Sequence, residues 1–479
     1  MRRTKILKHR TVVSHQDMRP RRFGRRDRLA LTASGLFLFL AGCVAQPAEV
    51  EEMSQQIATT LTETSTPEVQ ANREAVSLER GFAPAILQAV ETNEGYRAAR
   101  ALEVEAFGRI GVASSARRPQ FTSNATLGGV RESGGIAPDE TTTGVAGGVN
   151  ISQILYDGGE SAAAVNQATA EALAAQAERE ARGNDLALEA ARAWIDVWHF
   201  DERLRLLRSR TAEMDTMVGQ MERMAANGFV DRAALDSARR QIVDITLEET
   251  RLQADLREAQ VRFQRFFNRA PGRFVGPSEL ITPAQARMAA AAWQQSPRLE
   301  RSAAELLIAR SAVASAEAAF LPRARLQAGV SLPMEDGEST DTMLGLVVEY
   351  QFGDGGRRES QLSSAQARAQ AVEAQLTDAQ HSLQAELDAA LTRLAALDQS
   401  MPLVAEQIRL SASEAETSRS QITTGQSNLR QLVEAEIDNY RAQDRQIAMR
   451  AALEILLLTV VARTGELGRQ IGLEAKNAP

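Results

Sequence analysis

The chain has 479 residues, 44% hydrophobic and only 4% aromatic, with 55 Lys+Arg against 62 Asp+Glu. Residues 1–42 hold 11 of the basic and 2 of the acidic groups, so the remainder carries 44 against 60, which excludes a nucleic-acid surface built on a basic face. The single cysteine, Cys43, excludes an intramolecular disulfide, and His199 and His381 have no neighbouring ligand set, so no metal or other cofactor is expected.

The N-terminal segment is Arg-rich through Arg28, then apolar from Leu29 to Leu40, then reads Leu40-Ala41-Gly42-Cys43. About a dozen apolar residues are too few to span a bilayer but suit a signal-peptide core. Small residues before a lone Cys resemble a bacterial lipoprotein processing box. That resemblance implies a signal peptide over 1–42, cleavage before Cys43 and lipid attachment to it; the alternative is an ordinary signal peptide with an incidental Cys. Val44, in place of an Asp, is compatible with delivery to the outer membrane. Both Met1 and Met18 are compatible starts. Residues 43–77 are rich in Glu, Gln, Thr, Ser and Pro and read as a flexible tether.

A first unit spans 78–267. Leu78 to Ala116 has a helical pattern, stopped before Pro119, which lacks a donor and disfavours helix in the residue before it. Gln120–Glu132 and Thr142–Gln153 alternate with period 2, as strands joined by a polar loop at 133–141. At Asp157-Gly158-Gly159 the chain turns into a very long helix that reaches Asn227-Gly228 without a proline. Asn227-Gly228-Phe229-Val230-Asp231 reads as a tight reversal into a return helix from Arg232 to Phe267. Trp194 and Trp198 share one helical face, as packing residues.

Residues 268–296, with Pro271, Pro277 and Pro283, form a connector. A second unit over 297–465 then repeats the first, followed by a tail at 466–479. A short helix ends at Pro322, strands cover 324–334 and 341–352, and Asp354-Gly355-Gly356 opens a second long helix, which Pro402 is expected to kink. Asp157 to Asp354 and Gly228 to Gly425 are both separated by 197 residues, so the chain is one plan used twice. The expected fold is mainly α with a small β part: a duplicated helix–β-hairpin–long helix–helix unit.

Four strands of 10–12 residues cannot close a barrel, and an open edge is not tolerated in lipid. Several copies sharing one barrel resolve the conflict, with the long helices continuing as a tube outside the membrane.

Over about 78–465 this arrangement resembles the TolC-like outer membrane factor family. The resemblance rests on the duplicated order, the Leu155-Tyr156-Asp157-Gly158-Gly159 junction and the Gly228 and Gly425 turns. It implies a homotrimer with a 12-stranded β-barrel continuous with an α-helical periplasmic barrel, acting as the outer-membrane exit duct of a tripartite export system. It also implies two partners, a periplasmic adaptor protein and an inner-membrane pump of the RND or ABC type. The family's turns meet the adaptor; here Gly228, Phe229, Leu235, Ala238 and Arg239 fit the first turn, and Gly425, Gln426, Ser427, Leu432 and Ala435 fit the second. Family members often carry acidic rings six and nine residues after the second Gly. This chain has Gln431 and Glu434 there, so the number of rings is open, as is the choice between a lumen-facing and a solvent-facing Glu434.

Efflux of drugs or other small molecules and type I secretion of proteins both fit the duct. A periplasmic coiled-coil adaptor or scaffold lipoprotein is the alternative; the alternating strands and the duplication oppose it. An enzyme finds no support: no nucleophile elbow, metal-ligand cluster or phosphate loop occurs, and Gly144-Val145-Ala146-Gly147-Gly148 lies in a strand-like segment.

Overall fold

The computed structural model describes residues 47–64, 75–79, 81–132, 140–227, 232–272, 276–277, 280–332, 340–423 and 429–473. The chain divides into two compact units, Met1–Arg73 and Glu74–Pro479. In the first, α1 (Pro47–Thr64) is an 18-residue helix within the stretch expected to be a flexible tether. Its Glu, Gln, Ala and Met are good helix formers, and the Thr60 and Thr62 hydroxyls donate back to the carbonyls of Gln56 and Ala58 at 2.8 Å. Low apolar content hid this helix; it did not prevent it.

The second unit opens with α2 (Phe82–Glu91) and α3 (Glu94–Ser115). The sequence pattern here reads as one helix, but Asn93 divides it, because its side chain accepts from the Gly95 amide at 2.9 Å and caps α3. Strands β1 (Gln120–Glu132) and β2 (Glu140–Tyr156) lead into α4 (Glu160–Ala226), a helix of 67 residues, and α5 (Arg232–Phe267) returns. The connector contains α6 (Pro283–Ala291), opened by a reciprocal cap between Thr282 and Gln285, and a 3-10 turn at Trp293–Gln295. Then come α7 (Pro297–Ala318), β3 (Arg323–Leu332), β4 (Asp341–Glu349), α8 (Arg357–Thr423), α9 (Leu429–Arg463) and the short α10 (Glu466–Gln470). The second long helix, α8, also has 67 residues and runs through Pro402 without ending. At 1.5 Å per residue each long helix is about 100 Å.

The strands form one antiparallel sheet in the order β1-β2-β3-β4. The helices form a layer with the same logic. Along its first half α4 lies between α3 and α7, with α8 beyond α7; along its second half it lies between α5 and α9, with α8 beyond α9. Ion pairs Glu178–Arg301 at 2.6 Å and Asp185–Arg298 at 2.7 Å mark the first neighbourhood, and Arg203–Asp444 at 2.6 Å marks the second.

The densest core lies midway along the helices. Trp194 meets Phe82 and Phe267 edge-on at 5.5 and 5.7 Å, Phe263 stacks on Phe267 at 4.2 Å, and Trp198 carries the Arg450 guanidinium over its ring at 5.6 Å. Both tryptophans are packing residues, as their four-residue spacing predicts.

Candidate functional site: sheet, junction and tips

Strand register decides what each face of the sheet offers. Leu127 lies opposite Val145, Val149 opposite Val330, Ile151 opposite Ala328, Leu326 opposite Leu346, and Ala328 opposite Leu344. All of these share one face, and Leu127 and Leu344 are 83% and 76% exposed. On the other face Thr122 pairs with Asn150, Asn150 with Gly329, and Ser152 with Gln327. A sheet apolar on one side and Asn/Thr/Ser/Gly-lined on the other suits a wall between hydrocarbon and water. The outer edges of β1 and β4 carry no pairing strand among the described residues.

At the strand-to-helix junction the two units use the same device. Asp157 accepts from the amides of Gly159 at 3.0 Å and Ser161 at 2.8 Å; Asp354 accepts from Gly356 at 3.2 Å and Arg358 at 3.1 Å. Each carboxylate thereby supplies acceptors to the unpaired first amides of a long helix and adds charge complementary to its positive end. Gly158 and Gly159 have φ of 68° and 98°, Gly355 and Gly356 have 68° and 86°, so both turns use left-handed backbone. Burial opposes the charged form of Asp157, but the hydrogen bonds from Ser161 and Gly159 and the Arg117 charge outweigh it and hold its pKa below the ordinary value. The second junction is tied more firmly. Arg358 donates to Asp354 at 2.8 Å, to the Gln351 carbonyl at 2.7 Å and to the Ala319 carbonyl at 3.1 Å, joining strand end, α7 end and α8 start.

Toward the far ends the two helical hairpins differ. The α4–α5 hairpin has an apolar seam in which Met214, Val218, Met221, Leu235 and Ile245 are buried. The α8–α9 hairpin buries Ser411, Ser418, Glu436 and Asn439. Glu436 receives Arg419 at 2.5 Å and Arg210 at 3.5 Å, while Asn439 donates to Ser411 at 3.2 Å and accepts from Arg210 at 3.3 Å. Arg210 belongs to α4, so this polar cluster links one hairpin to the other.

A groove of about 860 Å³ runs between α4, α5 and α9, with Met214, Met217, Ile245, Leu432 and Tyr440 among its lining residues. Burial, then the Asp444 charge, push the Tyr440 phenol up to about 12, so it stays neutral.

The sequence-expected site residues fall in three groups. Cys43, Gly228, Phe229, Gly425, Gln426 and Ser427 lie outside the described residues. Leu235 and Ala238 are buried in the α4–α5 seam, Ala435 and Leu432 are buried on α9, and Leu432 lines the groove. Gln431 and Glu434 are exposed on the first turns of α9, where Glu434 accepts from Arg430 at 3.0 Å. Arg239 is paired with Glu222 at 2.8 Å. The inter-hairpin pairs Arg203–Asp444 and Arg210–Glu436 were not expected from the sequence; Glu436 and Asn439, three apart on one face of α9, were a signal for the second alone.

The model of the outer membrane efflux protein family matches residues 85–269 and 289–466. No curated protein matches the chain. Among solved structures, the chain is similar to the outer membrane protein VceC from Vibrio cholerae (17% identity, TM-score 0.71, covering 80% of this chain and 96% of that one). It is also similar to CusC, described in terms of folding and transmembrane channel formation (16%, 0.70, 82% and 96%), and to the Campylobacter jejuni CmeC outer membrane channel (14%, 0.70, 85% and 93%). At such identities the structures establish the fold, and the family model, covering both repeats, establishes membership. The chain belongs to the outer membrane efflux protein family, as a TolC-like, non-enzymatic channel protein of the outer membrane.

Proposed function

We propose that three copies of this chain close a 12-stranded barrel and form the exit duct of a tripartite export system, passing cargo from an inner-membrane pump of the RND or ABC type. One observation carries the reading. A four-stranded sheet with one apolar face, and with both edges unpaired among the described residues, runs through two matched junctions into helices of about 100 Å. Neither sheet edge is tolerable in lipid unless another copy pairs with it. Three sheets of four give 12 strands, an even number within the range of outer-membrane barrels. The family match opposes the adaptor or scaffold alternative.

The duct is passive, and the partners act at its two ends. Cys43, when lipidated, tethers the N-terminal unit to the inner leaflet of the outer membrane while the barrel spans it. At the far end the turns at Gly228 and Gly425, with Phe229, Gln426 and Ser427, are the surface offered to a periplasmic adaptor. Leu235 and Leu432, buried near the starts of α5 and α9, belong to the same adaptor-facing ends. Glu434, paired with Arg430, rings the aperture with Gln431 beside it. Purified protein in planar bilayers tests this reading: a trimeric complex that conducts ions supports it, and a monomer without channel activity contradicts it. Deleting the protein and comparing drug susceptibility with the secreted proteome separates small-molecule efflux from protein secretion.

A further inference from the structure

On the polar face of the sheet, two asparagines are each set against a glycine of the next strand. Asn124 of β1 lies opposite Gly148 of β2, and Asn150 of β2 lies opposite Gly329 of β3. Both side chains lean the same way round the sheet. A Cβ on Gly148 would stand 3.1 Å from the Asn124 Oδ1, and a Cβ on Gly329 would stand 3.2 Å from the Asn150 Oδ1. Each amide therefore occupies the room that a side chain on its glycine would take. Gly345, opposite Gln327 on the same face, has no described residue within 4 Å of its Cβ position. The arrangement thus belongs to particular pairs and not to every glycine of the face.

Strand side chains ordinarily stand roughly perpendicular to the sheet. An asparagine that stood so would hold its amide off the wall; one that lies over a glycine keeps it against the wall and covers backbone the glycine leaves bare. Gly148 and Asn150 are two residues apart on β2, so the two pairs form successive rows, about 7 Å apart along the strand. Charge is absent from this stretch. Among the described residues, the polar face carries no charged side chain between the Arg325–Glu349 ion pair at the junction end and Asp341 at the other. Here the face can discriminate by width and not by charge.

We infer that the Asn124–Gly148 and Asn150–Gly329 pairs set the width of the barrel's bore, laying the amides flat on its wall in every copy, and so fix the largest cargo that the barrel admits. The inference rests on the shared-barrel reading, in which the polar face lines the bore. It assigns a size-determining role to two glycines and the two asparagines that cover them.

Size-graded labelling tests it, because Cys43→Ala leaves no other thiol. In that background Ile154→Cys places a thiol on the polar face opposite Arg325, on the junction side of both pairs. Cells are treated from outside with maleimide-polyethylene glycols of increasing mass, and the largest that reacts gives the cut-off. Each variant is read on protein recovered with the mass of the parent complex. Gly329→Val should lower the cut-off by standing Asn150 into the bore, and adding Asn150→Ala should return it. Gly345→Val adds the same bulk to the same face without displacing an amide and should leave the cut-off in place. Asn150→Ala alone should leave it too, since a flat amide takes no width; this variant decides the matter if Gly329→Val does not assemble. A cut-off unmoved by Gly329→Val, lowered as much by Gly345→Val, not returned by the added Asn150→Ala, or raised by Asn150→Ala alone overturns the inference and leaves the barrel reading standing. An introduced thiol that no maleimide reaches in cells, yet reacts after denaturation, overturns both.

Discussion

Arg203 of α4 holds Asp444 of α9 with two parallel hydrogen bonds, Nε to Oδ1 at 2.6 Å and Nη2 to Oδ2 at 3.0 Å. Both side chains are only about one-fifth exposed, 19% and 21%, so the fork is shielded from water and salt. Together with Arg210 on Glu436, it fastens the first hairpin to the second. Asp444→Ala removes the carboxylate and leaves the guanidinium half-buried. The expected loss is about 1.5–3 kcal/mol of the contact between hairpins, the range for hydrogen bonds to charged groups. Hydrogen exchange along α9 should accelerate in this variant. Exchange unchanged from the parent would show that the hairpins are held by other contacts.

The seams predict which hairpin yields first. The α4–α5 seam is apolar, whereas the α8–α9 seam buries Ser411, Ser418 and Asn439. Replacing Asn439 by Leu removes a polar group from buried Ser411 and half-buried Arg210, so the variant should destabilise the contact between α9 and both neighbours. Val218→Ala in the other hairpin deletes two buried methyl groups and should cost on the order of 1–2 kcal/mol in local stability of α4–α5 alone. Site-resolved exchange of the two hairpins measures both; identical slowing or quickening in both would contradict the asymmetry.

At the junction, Gly158 combines a φ of 68° with the close approach of Leu321 Cβ and the Ala318 carbonyl, 2.7 and 2.9 Å from where a Cβ would stand. Gly158→Ala therefore carries about 1–2 kcal/mol of left-handed backbone cost plus a backbone clash. Its trimers should dissociate at a lower temperature than the parent. Gly355 has the same φ but no described residue within 4 Å of where a Cβ would stand, so Gly355→Ala meets backbone cost alone and should be the milder of the two. Equal effects would contradict this ranking.

Acid should loosen the same junctions. Burial opposes ionisation of Asp157 and Asp354, but hydrogen bonds from the helix amides win and depress both pKa values. A carboxyl with a depressed folded pKa contributes stability that is complete above its unfolded value, near 4, and is lost as pH falls through the folded value. Stability should thus be flat near neutrality and decline below about pH 4. Asp157→Asn should flatten part of that decline; an unchanged acid profile would exclude Asp157 as its source.

Glu434→Ala removes one half of the pair with Arg430. With Arg430 left alone near the proposed aperture, permeation should shift from cations toward anions, read as a change in reversal potential across a salt gradient. An unchanged reversal potential would place the pair away from the ion path.

Cys43→Ala should leave the protein a trimer in the outer membrane, since four strands per copy anchor it without lipid. Loss of all membrane association in fractionation would contradict that.

Much of this architecture is legible in the residues because its signals are periodic. Leu344, Leu346 and Val348 alternate in a way only a strand accommodates, and the 197-residue interval from Asp157 to Asp354 marks two equal long helices. The helix at Pro47–Thr64 was hidden because a polar, Thr-rich stretch looks like a linker, and Asn93 because it caps a helix inside an otherwise helical run. The inter-hairpin fork was invisible for another reason: Arg203 and Asp444 are 241 residues apart, and nothing local to either names the other. Glu434 is singled out in the sequence only by its distance from Gly425, and its pairing with Arg430 needed the helix to exist from Leu429 onward.

The account stands on copies sharing one barrel, and the mass of the detergent-extracted complex tests that most directly. Native mass spectrometry should find three chains and no stable monomer, because each monomer would leave the edges of β1 and β4 unpaired. A predominantly monomeric species that remains folded in detergent would contradict the account.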